Sequence, residues 1–285
     1  MAAFPFRLSV RALAGCVCLA TGCSEYKPAT DTPGADWSCL SAPRTNPDPI
    51  GVVGRDVTYS VQLVDLSTVQ VISNVKLRAC GLTDLECNNP VTGETPPDDA
   101  PPSPDRGGWL TPDASGWVDI PLKSNFQGYL EIESIPREAY VPYIFHLPEG
   151  ELQTMREFPI VMISATAFGM LVAALQVDYD PDLGAIGART FDCQGQLAPG
   201  VVLRNNTGGV PWYFQNGLPN TRRQETDDQG LAGFLRSQPG LTVSDAILPD
   251  GRAITSQSLI VRKQTMSTVY FRPPQVRQMQ TLQAP

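Results

Sequence analysis

The sequence lacks most of what a catalytic or metal site uses. His146 is the only histidine, and the chain has no G-x-S-x-G motif and no C-x-x-C pair. A Ser-His-Asp or Cys-His centre would have to use His146, and structural zinc sites are built from paired Cys and His ligands. Strand spacing in Tyr143–Leu147 places His146 on the face opposite its apolar neighbours. We therefore expect a non-enzymatic protein without metal or cofactor, and interpret His146 as a sheet-face residue.

Charge is also scarce, at 18% of residues, and its balance is acidic, with a formal net charge of -8. Without a basic stripe to neutralise phosphates, the chain is not expected to bind nucleic acid. The 27 prolines and 24 glycines favour many short strands over long helices. The length of 285 residues suggests two domains of about a hundred residues each.

The N-terminus reads as a targeting segment. Two arginines precede an apolar stretch that ends at Ala20, and Ala20-Thr21-Gly22-Cys23 follows. This order resembles the bacterial lipoprotein signal, or lipobox, in which small residues precede a cysteine that becomes lipidated. The resemblance implies export and attachment to the membrane through Cys23, and Ser24 favours the outer membrane. Cys16 is the alternative acceptor, and an ordinary cleaved secretory signal would change the anchor but keep the export.

The cysteines that remain after lipidation of Cys23 are Cys39, Cys80, Cys87 and Cys193. An even number in an exported protein permits two disulfides. Cys80 and Cys87 flank a predicted turn and are the favoured pair, and Cys39–Cys193 follows by exclusion. Metal binding by these cysteines is the weaker alternative.

Two stretches of the chain repeat one pattern, a turn followed by a strand. Asp113 and Gly116 in the first align without a gap to Asp227 and Gly230 in the second, and small or apolar residues alternate afterwards. An aspartate can accept a hydrogen bond from the backbone two residues on, and glycine supplies the positive φ that such a turn needs. The two copies predict an internal duplication, in which these four residues are structural turns.

The second copy carries a family resemblance. Its segments Pro199-Gly200-Val201-x-Leu203 and Thr226-Asp227-x-x-Gly230-x-Ala232-x-Phe234 resemble the carboxypeptidase regulatory-like, or transthyretin-like, domains. The order of elements covers most of residues 51–274 twice, although the first copy departs at Asn74 and Pro112. The resemblance implies an all-β fold of two tandem Greek-key β-sandwiches joined by a short helical segment. It also implies an accessory, non-catalytic role.

The predicted organisation has six parts: a signal peptide (1–22), a flexible tether (23–50), a first sandwich (51–158) with a Pro-rich loop (88–108), a connector (159–183), a second sandwich (184–274) and a disordered tail (275–285). The connector contains the nearly uncharged run Ile160–Leu175. This run falls short of the roughly twenty residues of a membrane span and has acidic flanks. We expect a strand at Ile160–Ile163 and a buried helix from about Thr166 to Gln176.

Two further patterns are expected to carry no site. Asp178–Gly184 imitates the start of a calcium loop, but its twelfth position is Arg189 where a bidentate glutamate would stand. A looser calcium site remains an alternative there. Lys76 could meet Glu131 or Glu133 in an isopeptide cross-link, but both acids are expected in water on the outer face of their strand.

A binding surface is expected at loop edges rich in aromatic residues. The candidates are Trp109 and the run Trp212-Tyr213-Phe214, together with the Pro-rich loop. Alternation points the run both ways, so at least one ring should face solvent or a neighbour, although core packing is the favoured interpretation. We expect a non-catalytic adhesion, scaffold or accessory protein with a protein or glycan partner. A carbohydrate-binding module and an envelope hydrolase are the alternatives, and the oligomeric state stays open.

Overall fold

The structure is a computed structural model that describes residues 34–41, 54–92, 108–136, 138–148, 152, 154–157 and 159–273. Among these, one ten-residue α-helix and one short 3-10 helix (Ser38–Ser41) accompany fifteen strands. The all-β fold class predicted from the sequence is therefore confirmed. The elements are β1 (Asp56–Asp65), β2 (Val75–Gly81), β3 (Trp117–Lys123), β4 (Gly128–Ser134), β5 (Tyr143–His146), β6 (Met155–Arg156), β7 (Ile160–Met162), α1 (Ala165–Ala174), β8 (Gly184–Thr190), β9 (Val202–Asn205), β10 (Val210–Gln215), β11 (Leu218–Asn220), β12 (Leu231–Ser237), β13 (Gly240–Ile247), β14 (Ala253–Val261) and β15 (Met266–Phe271).

A central sheet of eight strands runs in the order β11-β10-β12-β8-β15-β5-β4-β2. Five of these strands come from the second predicted sandwich and three from the first. The two groups meet where β15 pairs in parallel with β5, with Met266 opposite Tyr143 and Thr268 opposite Phe145. The two predicted sandwiches therefore share one continuous sheet in addition to the connector between them.

The two faces of the central sheet are covered by different sheets. Successive strand residues alternate between faces, so Ala185 belongs to one core and its neighbour Ile186 to another. The Ala185 core also contains the buried residues of the four-stranded sheet, in which β1 pairs with β3, β6 and β7. The Ile186 core contains those of the three-stranded sheet β14-β13-β9. The molecule is thus a stack of three β layers in which the central sheet serves both cores.

The connector forms the predicted strand and helix. Strand β7 pairs in parallel with β1, and Ser164 then caps α1 by accepting a hydrogen bond from the Ala167 amide (3.2 Å). The expectation of a buried helix is wrong, because within α1 only Val172 is buried. The exposed residues of α1 carry no charge: Ala165, Thr166, Gly169, Met170, Ala173 and Ala174. No helix in the described ranges is long and apolar enough to cross a bilayer.

Two disulfides join the four cysteines as expected. Cys80 is bonded to Cys87, and Cys39 is bonded to Cys193 across 154 residues of sequence. The second bond holds part of the predicted tether, residues 34–41, against the second sandwich. There the Cys193 amide donates to the Asp36 carbonyl (2.9 Å). Cys23 and Cys16 lie outside the described residues, as does the tail from residue 274.

The two turn motifs have closely similar geometry. Asp113 accepts hydrogen bonds from the Ser115 amide (2.8 Å) and the Trp117 amide (3.0 Å) before β3. Asp227 accepts one from the Gln229 amide (3.1 Å) before β12. The glycines that follow, Gly116 and Gly230, have φ values of 74° and 59°. All four residues therefore occupy turns that lead into a strand.

Candidate functional site

An apolar pocket of about 300 Å³ lies between α1 and the central sheet. Strands β8, β10, β12 and β15 contribute the sheet wall, while α1 and β7 contribute the opposite wall. On this face of the central sheet, the four-stranded sheet packs on the strands of the first sandwich. Helix α1 helps to cover the strands of the second sandwich. The exposed members of the lining mark the opening: Leu66, Met170, Ala174 and Gly217.

Gly187 lines the pocket and keeps the sheet wall shallow there. Gly187 in β8 stands opposite Gly233 in β12. A Cβ on Gly187 would lie 3.1 Å from Thr268 Cγ2 and 3.3 Å from Met266 Sδ, so a side chain there would enter occupied space. A Cβ on Gly233 would lie 2.8 Å from Trp212 Cζ2, which shows how closely the indole rests on the strand.

Four aromatic side chains stand among the mainly aliphatic residues of the walls. Trp212 is only 5% exposed and meets the partly buried Phe214 edge to face, with ring centroids 5.8 Å apart. Tyr143 and Tyr270 add two more buried rings, and both hydroxyls are engaged. Tyr143 accepts from the Ile163 amide (3.1 Å), and Tyr270 donates to the Pro159 carbonyl (2.7 Å).

The predicted aromatic surface does not form as expected. Trp212 and Tyr213 are both buried, on opposite faces of β10, because each face of the central sheet is covered by a further layer. The Tyr213 hydroxyl accepts from the Leu203 amide (3.0 Å) in the second core. Of the run, only Phe214 is partly exposed, at the pocket wall.

The fourth candidate, Trp109, lies elsewhere. It is partly buried, with Lys76 Nζ 4.1 Å and the Arg78 guanidinium 4.5 Å from its ring centre. It follows the Pro-rich loop, whose two ends are joined where the Thr92 hydroxyl donates to the Gly108 carbonyl (2.7 Å). Residues 93–107 of that loop lie outside the described residues.

Two polar groups in the pocket could bind a ligand. Arg189 is partly buried and carries the one charge among the described residues that line the pocket. Burial lowers the pKa of Arg189, yet a guanidinium stays cationic in proteins. The indole Nε1 of Trp212 is buried and has no hydrogen-bond partner within the described ranges. Both groups are donors, so the pocket can recognise an acceptor or an anion.

A buried ion pair lies outside the pocket. Glu157, with a side chain 1% exposed, binds Arg272 through two hydrogen bonds and accepts a third from the Tyr59 hydroxyl. This arrangement neutralises the carboxylate and holds the end of β15 against the four-stranded sheet. These contacts give the carboxylate a structural role.

A second ionic network corrects the expectation that the acids of β4 lie in water. Glu131 binds both Arg78 and Arg262, each at 2.6 Å, and its side chain is 13% exposed. Glu133 pairs with Lys76 at 3.5 Å. The three-stranded sheet reaches this face through Arg262 and so removes Glu131 from water.

His146 is buried at the interface of β5 and β14. Its Nε2 accepts from the Ile260 amide (3.1 Å), and burial lowers the pKa of His146 to about 4. Its Nδ1 is buried without a partner among the described residues. A neutral, enclosed imidazole that is not part of the pocket lining fits a structural role.

The groups that could suggest a metal are otherwise engaged. Cys80, Cys87 and Glu131 have ligand atoms within 4.8 Å of one another. The two sulfurs are bonded to each other and the carboxylate is paired with arginines. In the acidic turn, Asp182 binds Lys263 at 2.8 Å.

Sequence reasoning missed the pocket because its walls come from distant segments. Two features of the sequence now lie at or beside the pocket: the uncharged run Ile160–Leu175, and the glycines at 187 and 233. Nothing local indicates that α1 would face β10 or that Arg189 would lie between them.

No family model matches this chain, and no curated protein matches its sequence. Among solved structures it is similar to the shaft pilin spaA from Lactobacillus rhamnosus GG, with a TM-score of 0.24 and 9% identity over 78% of this chain and 99% of that one. A Streptococcal ancillary pilin has a TM-score of 0.25 and 14% identity, over 77% of this chain and 63% of that one. The Bacillus anthracis TIE protein has a TM-score of 0.24 and 11% identity over 76% of this chain, which spans only 34% of that one. Likeness at this level supports no argument about function. The lipoprotein and transthyretin-like resemblances stay predictions.

Proposed function

We propose that this protein is an exported, non-catalytic binding protein and that the pocket beneath α1 is its ligand site. The observation that carries the proposal is an apolar cavity of about 300 Å³ walled by four aromatic rings. Small-molecule sites are concave and mostly apolar with a few placed polar groups, and their volumes start at about 300 Å³. Attachment to the cell envelope through Cys23 would complete this role.

The apolar lining of the pocket favours an apolar occupant. Apolar surface left in water costs about 25 cal/mol for each Å². A bound apolar molecule would remove the lining from water, and this burial would favour binding.

The alternative functions find less support. A carbohydrate platform built on Trp212 would need an accessible ring face, but this ring is 5% exposed. A hydrolase would need converging carboxylates, and the described residues that line the pocket include none. An adhesion or scaffold role through the Pro-rich loop is compatible with ligand binding in the pocket.

Titration with the small neutral fluorophore 1-aminonaphthalene tests the proposal. We expect saturable binding to one site per chain. Ala167→Phe should abolish it, because Ala167 lines the pocket from α1. The matched control is Ala173→Phe, on the exposed face of the same helix. Absence of saturable binding, or equal affinity in the two variants, would overturn the proposal.

A further inference from the structure

We propose that the ligand is a straight-chain carboxylic acid of medium length, with its chain in the apolar pocket and its carboxylate bound by Arg189 and the Trp212 indole. This inference rests on the proposed function, since it names the class of ligand for the same pocket.

The charge of the lining selects an anion. Arg189 is the one charged member of the lining among the described residues, so an ammonium group would be repelled, whereas an anion would be attracted by the guanidinium. A guanidinium offers five N–H donors in a planar fork that matches a carboxylate, so it can bind one while keeping contacts to its neighbours. Hydrogen bonds between ionised partners are also about twice as strong as neutral ones.

The position of Arg189 fits a head group at the sheet wall. In the parallel pair of β8 and β15 it stands directly opposite Tyr270, and in the antiparallel pair with β12 it stands opposite Leu231. Arg189 therefore stands on a central strand of the sheet, between Tyr270 and Leu231. A chain that extends from this point toward α1 would contact mainly apolar side chains.

The indole of Trp212 supplies an independent observation. Its Nε1–H is buried without a partner in the described ranges, although buried donors in native proteins almost always have one. A ligand acceptor in the pocket that Trp212 lines would satisfy it. A neutral acceptor could satisfy the indole but lacks the charge that attracts Arg189, whereas a carboxylate provides both an acceptor oxygen and the charge.

The volume sets the length of the chain. An apolar cavity of about 150 Å³ holds benzene, with six non-hydrogen atoms. A pocket of about 300 Å³ by the same ratio holds about twelve such atoms. Decanoate has this size, which makes it the probe of choice.

Calorimetric titration of the protein with decanoate, 1-decanol and decylamine tests the inference, since the three share one chain and differ in head group. We expect decanoate to bind at least about tenfold more tightly than decanol, and decylamine to bind weakest. Arg189→Met should weaken decanoate binding about tenfold or more and leave decanol within about twofold. Trp212→Phe should weaken decanoate less. Arg204→Met, at an exposed position on β9 outside the lining, is the control and should change neither.

The outcomes separate the two proposals. Retained decanol binding shows that a variant is folded. Equal binding of decanoate and decanol, unchanged by Arg189→Met, would overturn the carboxylate inference while the apolar pocket stands. Binding of neither would overturn the pocket itself. The protein could instead sediment with phosphatidylglycerol vesicles in an Arg189-dependent way and fail to bind monomeric decanoate. That result would overturn the free acid as the ligand and indicate an anionic membrane surface.

Discussion

Arg272 binds Glu157 through two hydrogen bonds, of 3.0 Å to Oε2 and 2.5 Å to Oε1, and so links the end of β15 to the segment after β6. Removing each charge from water costs free energy. The attraction between the two charges offsets this cost only while both side chains are present. The pair therefore couples the central sheet to the four-stranded sheet.

Removing the positive charge of Arg272 alone should lower the stability of the protein. Arg272→Met is expected to lower the free energy of unfolding by about 3–5 kcal/mol, because it leaves the Glu157 carboxylate buried without this partner. The double variant Glu157→Gln/Arg272→Met should lose less, since a glutamine can still accept from Tyr59. Urea unfolding measures both. The exposed pair Lys123–Asp56 is the control, and Lys123→Met should cost less than about 1 kcal/mol. A double variant that loses as much stability as Arg272→Met alone would contradict this view.

The two disulfides should contribute unequally. Cys39–Cys193 closes 154 residues and Cys80–Cys87 only 7, so the chain-entropy model gives the long bond about 3 kcal/mol more. We expect Cys39→Ala/Cys193→Ala to lower the melting temperature more than Cys80→Ala/Cys87→Ala. It should also expose residues 34–41 to protease, because the bond holds this segment on the second core. Unchanged cleavage in that segment would refute the second point.

The turn glycine at 230 should matter for stability and not for binding. At a φ of 59°, a Cβ would lie 2.7 Å from the Thr190 carbonyl oxygen. Gly230→Ala should therefore cost about 1–2 kcal/mol for the left-handed backbone alone, and more for the contact. Gly195→Ala is the matched control, at a φ of 75° with nothing within 4 Å. Wild-type stability of Gly230→Ala with lost probe binding would instead make this turn part of a ligand site.

Acid should destabilise the fold through His146. Burial lowers the pKa of its imidazole to about 4, below the ordinary 6.5, and the Arg262 charge acts in the same direction. The unfolded chain therefore binds the proton more readily, so the contribution to stability is complete above about pH 6.5 and is lost as pH falls toward 4. Between pH 7 and 5 the loss is about 2 kcal/mol by linkage.

The change of the unfolding free energy with pH in this range can be assigned to one residue, because His146 is the only histidine. Urea unfolding at a series of pH values should show that His146→Gln flattens the decline between pH 6.5 and 5. The Tyr129 ring, 5.9 Å from the imidazole, does not titrate there. An unchanged slope in the variant would show that other groups cause it.

Local chemistry was readable from the sequence. The Asp-x-x-Gly turns at Asp113 and Asp227 follow from hydrogen bonds between residues two apart and from the φ that glycine permits. The strand and helix of the connector followed from a run too short for a membrane. The disulfides followed from an even cysteine count and one close pair. Each of these depends on residues close in sequence or on simple counting.

Which surfaces are covered was decided only by the tertiary structure. Alternation along Trp212-Tyr213-Phe214 predicts two faces, but both became interiors because the central sheet has a layer on each side. That sheet exists because β5 pairs with β15, more than a hundred residues away, and no local pattern encodes such a register. The same pairing brings α1, Arg189 and Trp212 around one pocket. The sequence by itself determined the turns, the cysteine pairs and the β-rich character, since short-range forces suffice for them. The pocket and its charge depend on long-range packing, which only the folded chain establishes.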